Sequence, residues 1–211
     1  MTHGFDKDYW ESHWKQAPGA GHEPAPHPYL ARETHDLVPG TALDAGCGEG
    51  AEAVWLAAAG WRVTAADISS EALARARARA AGHPAGDAIT WVEADLGAWQ
   101  PEQRFDLVTT HYAHPAIPQL RFYGRLAGWV APGGTLLVVG HLRGHGHGPG
   151  DEHPPEEATA DAAGITALLD PSAWEVVTAS EHERPVVRGD RTTVLHDVVV
   201  RARRRTRLDP G

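Results

Sequence analysis

The sequence predicts an α/β fold: a doubly wound, seven-stranded sheet with a reversed last strand and helices on both faces. Three observations predict it. The extended apolar approach Thr41-Ala42-Leu43 runs into glycines at 46, 48 and 50, then into a helical run from Ala51 to Ala59. Strand-like and helical segments then alternate as far as Val139, which is the pattern of a parallel sheet with crossover helices. The chain closes on two consecutive strands with a turn at Gly189-Asp190, and a hairpin requires antiparallel pairing. Together these make the fold Rossmann-like, with its last strand reversed.

The elements follow in order. Residues 1–17 carry Phe5, Tyr9, Trp10 and Trp14, with Tyr9 and Trp10 close enough to Trp14 for one helical face to present aromatics. Asp6, Lys7, Asp8 and Glu11 suit a half-exposed position, so the segment is expected to form a lid over a pocket. Residues 18–28, with four prolines and two glycines, cannot be helix or strand interior and read as a covering loop. Leu30, Glu33, Thr34 and Leu37 have helical spacing before Pro39-Gly40. The second strand is Trp61 to Ala66, ending at Asp67. Ser69-Ser70-Glu71 starts a helix over Ala72 to Ala81, whose arginines at 75, 77 and 79 are expected to be solvated. Strands are expected at 88–92, 105–110 and 135–139, with a helix at 117–129 ended by Pro132-Gly133-Gly134. The fully apolar run Thr135 to Val139 is that of a strand buried on both faces. A helix from Ala158 to Leu169 and strands over 174–180 and 192–202 complete the chain.

Composition narrows the function. The 211 residues form one domain of ordinary size, able to bury its own core. A formal charge of −9 disfavours a nucleic-acid partner, and the one basic run, 201–207, reads as a strand end and tail. Cys47 is the single cysteine, which excludes an intramolecular disulfide and fits a reducing compartment. No apolar run approaches the ~18 residues of a membrane span. The acidic N-terminal residues lack the shape of a signal peptide. A cytoplasmic protein without membrane contact is expected.

The glycine turn is where chemistry concentrates. Strand, glycine turn and helix bring backbone amides close to a ligand. Gly46-x-Gly48-x-x-Ala51 also satisfies the dinucleotide fingerprint. Asp44 and Glu49 argue against that ligand, because carboxylates repel a pyrophosphate and suit a cofactor bearing an amino group and a sulfonium. Asp67, at the end of the second strand, is placed to hold a pair of ribose hydroxyls.

With these residues the chain resembles the class I S-adenosylmethionine-dependent methyltransferases over residues 40 to 140. Asp44-x-Gly46-x-Gly48-x-Gly50 resembles their first motif, Asp67 their ribose acid, Asp95-Leu96 their adenine-edge pair. Ala131-Pro132-Gly133-Gly134-Thr135-Leu136-Leu137 resembles their turn into the fifth strand. Four pieces in register, with the reversed hairpin, decide against a nicotinamide enzyme. The resemblance implies S-adenosyl-L-methionine as cofactor and S-adenosyl-L-homocysteine as product. It implies backbone contacts from Gly46, Cys47 and Gly48, an amino-group contact from Asp44, ribose bonds from Asp67 beside Ile68, and an adenine contact at Asp95-Leu96. Thr110 and His111 would lie near the methionine end. The lid aromatics Tyr9, Trp10 and Trp14 would cover the cofactor, a likeness to the thiopurine and tellurite-resistance methyltransferases.

A positioned nucleophile gains most of its rate from alignment, and a base is needed when the acceptor is protonated. The histidines supply candidates. His111 and His114 bracket the exit of the fourth strand, and Tyr112 between them is expected to pack as a wall. His27 lies between prolines in the covering loop. His182 and Arg184 resemble the histidine and arginine hairpin of the tellurite-resistance group and could hold an anionic acceptor. His141, His145 and His147, with Asp151, Glu152 and His153, have metal-ligand types, but a glycine-rich loop lacks the outer shell of an ordered site, so no metal is expected. The resulting organisation is a lid and covering loop (1–39), cofactor core (40–140), His/Gly/Pro-rich loop (141–157), then last helix and hairpin (158–211). The expected activity is in-line methylation of a small-molecule nucleophile by a monomer or homodimer. A cofactor-binding or metal-handling protein without methyl transfer is the alternative.

Overall fold

The computed structural model describes residues 4–17, 25–142, 158–188 and 191–206. Its seven strands are β1 (Thr41–Ala45), β2 (Arg62–Asp67), β3 (Ile89–Glu93), β4 (Phe105–His111), β5 (Val130–His141), β6 (Trp174–Arg188) and β7 (Arg191–Arg204). They form one sheet in the order β3-β2-β1-β4-β5-β7-β6. β1 to β5 are mutually parallel, and β7 runs antiparallel to both β5 and β6. The reversed strand therefore lies inside the sheet, between β5 and the edge.

Alternation along the strands divides the core in two. Leu43, Val108, Leu136, Val138, Val198 and Val200 face α5 (Gln119–Trp129), which contributes Phe122, Tyr123, Leu126 and Trp129, and α6 (Ala162–Thr166), which contributes Ile165. Ala42, Val63, Leu107, Leu137, Val139 and Val199 face α2 (Pro28–Thr34), α3 (Ala51–Ala58) and α4 (Ser70–Ala80), through Leu30, Leu56 and Leu73. The two apolar faces of a two-sided sheet are thus covered by separate helical layers. Each fully buried leucine contributes about 1.5–3 kcal/mol.

Local chemistry sets the helix starts. Ser69 caps α4 by accepting the Ala72 N–H (3.2 Å). Asp6 caps α1 (Lys7–Gln16) by accepting the Tyr9 N–H (2.9 Å). α6 is shorter than the expected Ala158–Leu169 helix. Ala160 forms a parallel bridge with Leu142, and Asp161 caps the helix only after it, by accepting the Gly164 N–H (2.6 Å). β5 begins earlier than expected, at Val130. α5 ends at Trp129 as expected, and the glycines of Pro132-Gly133-Gly134 lie inside β5, where they pass through a register shift opposite Phe105 to Leu107. The hairpin strands are longer than expected and extend beyond the end of β5, where His141 pairs with Asp197. No helix among the described residues is long and apolar enough to cross a membrane.

Candidate active site

The order of strands reverses between β1 and β4, and ligands bind at such a point beyond the carboxyl ends of the strands. There the structure has a cavity of about 320 Å³. Its floor is the turn after β1. Gly46, Gly48 and Gly50 all have positive φ, of 82°, 48° and 78°. A Cβ on Gly46 would stand 2.2 Å from that of Ala113, so the turn demands glycine for its conformation and for its space.

Asp67 reaches this floor from β2. Its Oδ2 accepts the Gly48 N–H and its Oδ1 the Ser69 N–H, both at 2.9 Å. Burial pushes its carboxyl above the usual carboxylate range, against the opposing pull of those N–H groups. Both oxygens keep a lone pair for further donors. Ile68, Asp95 and Leu96 continue the wall, and Asp95 is oriented by accepting the Gly97 N–H (2.8 Å).

The roof is α1, which has no buried residue of its own. Phe5, Trp10 and Trp14 face the cavity, while polar contacts from Trp10 and Glu11, midway along the helix, tie it to the walls on either side. Glu11 accepts from the Ser70 amide (2.6 Å) and hydroxyl (2.8 Å) at the start of α4. The Trp10 indole N–H donates to the His114 carbonyl (3.1 Å).

The remaining wall consists of His27, His111, Tyr112, Ala113, His114 and Pro115. His27 caps α2, its Nδ1 accepting the Tyr29 N–H (3.4 Å) and its Nε2 meeting the Tyr112 hydroxyl (3.2 Å). Tyr112 has φ of 53°, a conformation costly for an aromatic residue. Its hydroxyl donates to Asp197 (2.7 Å), whose other oxygen accepts from Arg184 Nε (2.8 Å). Arg184 Nη2 also donates to the Tyr112 oxygen (3.3 Å). Neither ring nitrogen of His111 has a hydrogen-bond partner. Burial pushes the imidazoles down, to about 3 for His111 and about 4 for His27 and His114. All three are neutral at pH 7.

Several residues read from sequence lie elsewhere. Asp44 is buried under the glycine turn, accepts the Ala53 N–H and does not line the cavity. Tyr9 is 44% exposed and packs edge-on to Phe5 and Trp10. Thr110 is buried, its hydroxyl donating to the Ala45 carbonyl (2.8 Å) across β4 and β1. His182 stacks on Tyr29 and meets Arg32, away from the cavity, and Arg184 stands behind Tyr112. The wall tyrosine is a hydrogen-bonding hub as well as a packed ring. Arg75 and Arg79 are not simply solvated, because they pair with Glu49 at 3.1 and 3.2 Å.

Four participants were not read from sequence. Glu11 and Glu52 are surface-type acids whose partners are remote in the chain. Gln119 meets His114 (3.5 Å) and donates to the Ala113 carbonyl (2.9 Å). Asp197, a carboxylate beside the apolar run Val198-Val199-Val200, carried a visible signal. Among the described residues no group of three or more His, Cys, Asp or Glu side chains is placed to hold a metal; His145, His147, Asp151, Glu152 and His153 lie outside those residues.

The donor set fits a nucleoside cofactor bearing an amino group. The backbone of the glycine turn, Asp67 and Asp95 line the cavity, and no lysine or arginine among the described residues lines it to meet a pyrophosphate. Fold and cavity thus define a doubly wound, nucleoside-cofactor protein. Residues 42–134 match the model of a methyltransferase domain. An uncharacterised methyltransferase of Mycobacterium bovis is 43% identical over 99 residues, 46% of this chain and 48% of its own. The chain thus spans about half the length of that mycobacterial relative. "Probable thiol methyltransferase 2" of Arabidopsis thaliana is 27% identical over 84% of this chain and 78% of its own. The solved structure of TehB from Haemophilus influenzae superposes with a TM-score of 0.68 at 16% identity, over 93% of this chain and 66% of its own. That likeness concerns the fold. Through its methyltransferase-domain core, residues 42–134, the chain is similar to S-adenosylmethionine-dependent methyltransferases.

Proposed function

We propose that the 211 residues act as one cytoplasmic methyltransferase domain, which methylates a small-molecule nucleophile with S-adenosyl-L-methionine. One observation carries the proposal: a single cavity has the glycine turn, Asp67 and Asp95 on one side and an imidazole-lined wall on the other. The sulfonium of the cofactor supplies the methyl group. Gly46, Cys47 and Gly48 hold the methionine portion through backbone groups. Asp67 accepts the ribose hydroxyls, Asp95 accepts from the adenine edge, and Ile68 and Leu96 pack beside the base. Trp10 and Trp14 exclude water from above, which strengthens each polar contact beneath them. The thiol methyltransferase relative supports a soft nucleophile as acceptor.

Calorimetric titration with S-adenosylhomocysteine, and acceptor-dependent release of that product from S-adenosylmethionine, test the proposal. Protein that binds the cofactor but releases no product with any thiol, halide or small hydroxyl acceptor would refute methyl transfer. The ribose assignment predicts that Asp67→Ala weakens cofactor binding by about 1–3 kcal/mol, the cost of hydrogen bonds to a charged group. Asp67→Asn, which keeps one acceptor oxygen, should lose less. Equal affinity in all three proteins would remove Asp67 from the ribose.

A further inference from the structure

Resting on that methyl-transfer reading, we infer that the acceptor enters as an uncharged, protonated nucleophile such as an aliphatic thiol, not as an inorganic anion, and gives its proton to Nε2 of His114.

Charge comes first. The side chains around the acceptor end are imidazoles and aromatic rings, and no lysine or arginine among the described residues lines the cavity. Glu49, Glu52, Asp67 and Asp95 line it instead. The guanidinium behind the wall, Arg184, is already matched to the buried carboxylate of Asp197. An anion entering here loses its hydration, and none of the described residues that line the cavity offers a cation to replace it. The imidazoles cannot stand in, because burial holds them neutral. A neutral imidazole attracts no anion, but it accepts a proton.

Geometry then selects among the three. His27 has both nitrogens engaged: Nδ1 accepts from the Tyr29 amide, which leaves the hydrogen on Nε2, facing the Tyr112 oxygen. His111 has both nitrogens sealed in protein. His114 differs. Gln119 donates through Nε2 to the Ala113 carbonyl (2.9 Å), which turns its Oε1 toward Nδ1 of His114 (3.5 Å). An acceptor at that nitrogen places the hydrogen on Nδ1 and the lone pair on Nε2. Stacking on His141 and contact with Phe5, at ring separations of 5.4 and 5.5 Å, hold the ring in place. In the reaction the acceptor sulfur forms the bond to the methyl carbon and its S–H proton passes to Nε2. The electron pair of the broken carbon–sulfur bond stays with the departing thioether. His114 then returns the proton to solvent. A base of low pKa suffices, because the S–H proton becomes strongly acidic as sulfur is alkylated.

The test compares 2-mercaptoethanol with thiocyanate and iodide on the intact protein at pH 7.5. Product release gives kcat and KM. Calorimetry on the protein saturated with S-adenosylhomocysteine gives acceptor affinity without turnover. The thiol should bind, and its kcat/KM should exceed that of either anion at least tenfold. His114→Gln should lower kcat for the thiol by about 10²-fold or more, with KM and S-adenosylhomocysteine affinity changed less than about threefold. Anions that bind and react as well as the thiol would overturn the acceptor class alone. An unchanged kcat in His114→Gln would overturn the proton assignment. Cofactor binding without transfer to either kind of acceptor would overturn the methyl-transfer reading and this inference with it.

Discussion

Acidification from pH 7.5 to pH 5 is expected to remove several kcal/mol of folding stability, chiefly through His111 and His114. Burial pushes these imidazoles from an ordinary value near 6.5 to about 3 and about 4. Between those limits the unfolded chain binds protons that the folded chain refuses, so stability falls as pH drops below 6.5 and rises as pH increases. At pH 5 each group accounts for about 2 kcal/mol, against a total of about 5–15 kcal/mol for a domain. His27 acts in the same direction by a smaller, solvent-screened amount. Asp44 and Asp67 oppose the trend, since burial pushes their carboxyls up and favours their protonation in the fold. A single variant isolates the histidine share. His111→Leu removes two buried nitrogens that have no partner, so it should cost little at pH 7.5 and flatten the drop to pH 5 by about 2 kcal/mol. Urea unfolding of both proteins at the two pH values measures this. Parallel curves would show that His111 becomes protonated in the folded state without penalty.

The cofactor half of the site was more legible than the acceptor half, for a physical reason. Parallel strands buried on both faces write continuous apolar runs such as Thr135 to Val139, and a turn with φ of 82° at Gly46 writes its glycine directly. Both signals are local. The roof was legible as an aromatic segment, but its clamp on α4 was not, because Glu11 and Ser70 stand 59 residues apart. Arg75 and Arg79 are four apart on one helical face, a spacing that suits a shared partner; nothing local names Glu49 as that partner. α6 was read too long because alanine-rich sequence favours helix as far back as Ala158, whereas tertiary pairing took Ala160 into a bridge with Leu142. His182 and Arg184, two apart on one strand, share a face. That face packs toward α2 and Tyr112, so the pair supports the wall from behind and does not meet the cavity.

That support gives the largest single-residue effect on stability. Asp197 is fully buried, and its charge is balanced by Arg184 at 2.8 Å, with the Tyr112 hydroxyl donating to its other oxygen. Arg184→Leu leaves the carboxylate in a dry site with only neutral hydroxyl donors, which should cost about 3–5 kcal/mol in urea unfolding at pH 7.5. Lysine is a poor replacement. It restores the charge but cannot donate from Nε to Asp197 and from Nη2 to Tyr112 together, so Arg184→Lys should recover only part of the loss. Arg184→Leu combined with Asp197→Leu should recover more than either single change suggests, because no uncompensated charge then remains. The strained Tyr112 backbone, at φ of 53°, is held by this same network. Loss of Arg184 should therefore also release the wall that carries His27 and His111, raising KM for the acceptor more than it weakens cofactor binding. A loss below about 1 kcal/mol, the size of an exposed pair, would mean that water reaches Asp197 and that the hairpin does not stiffen the site.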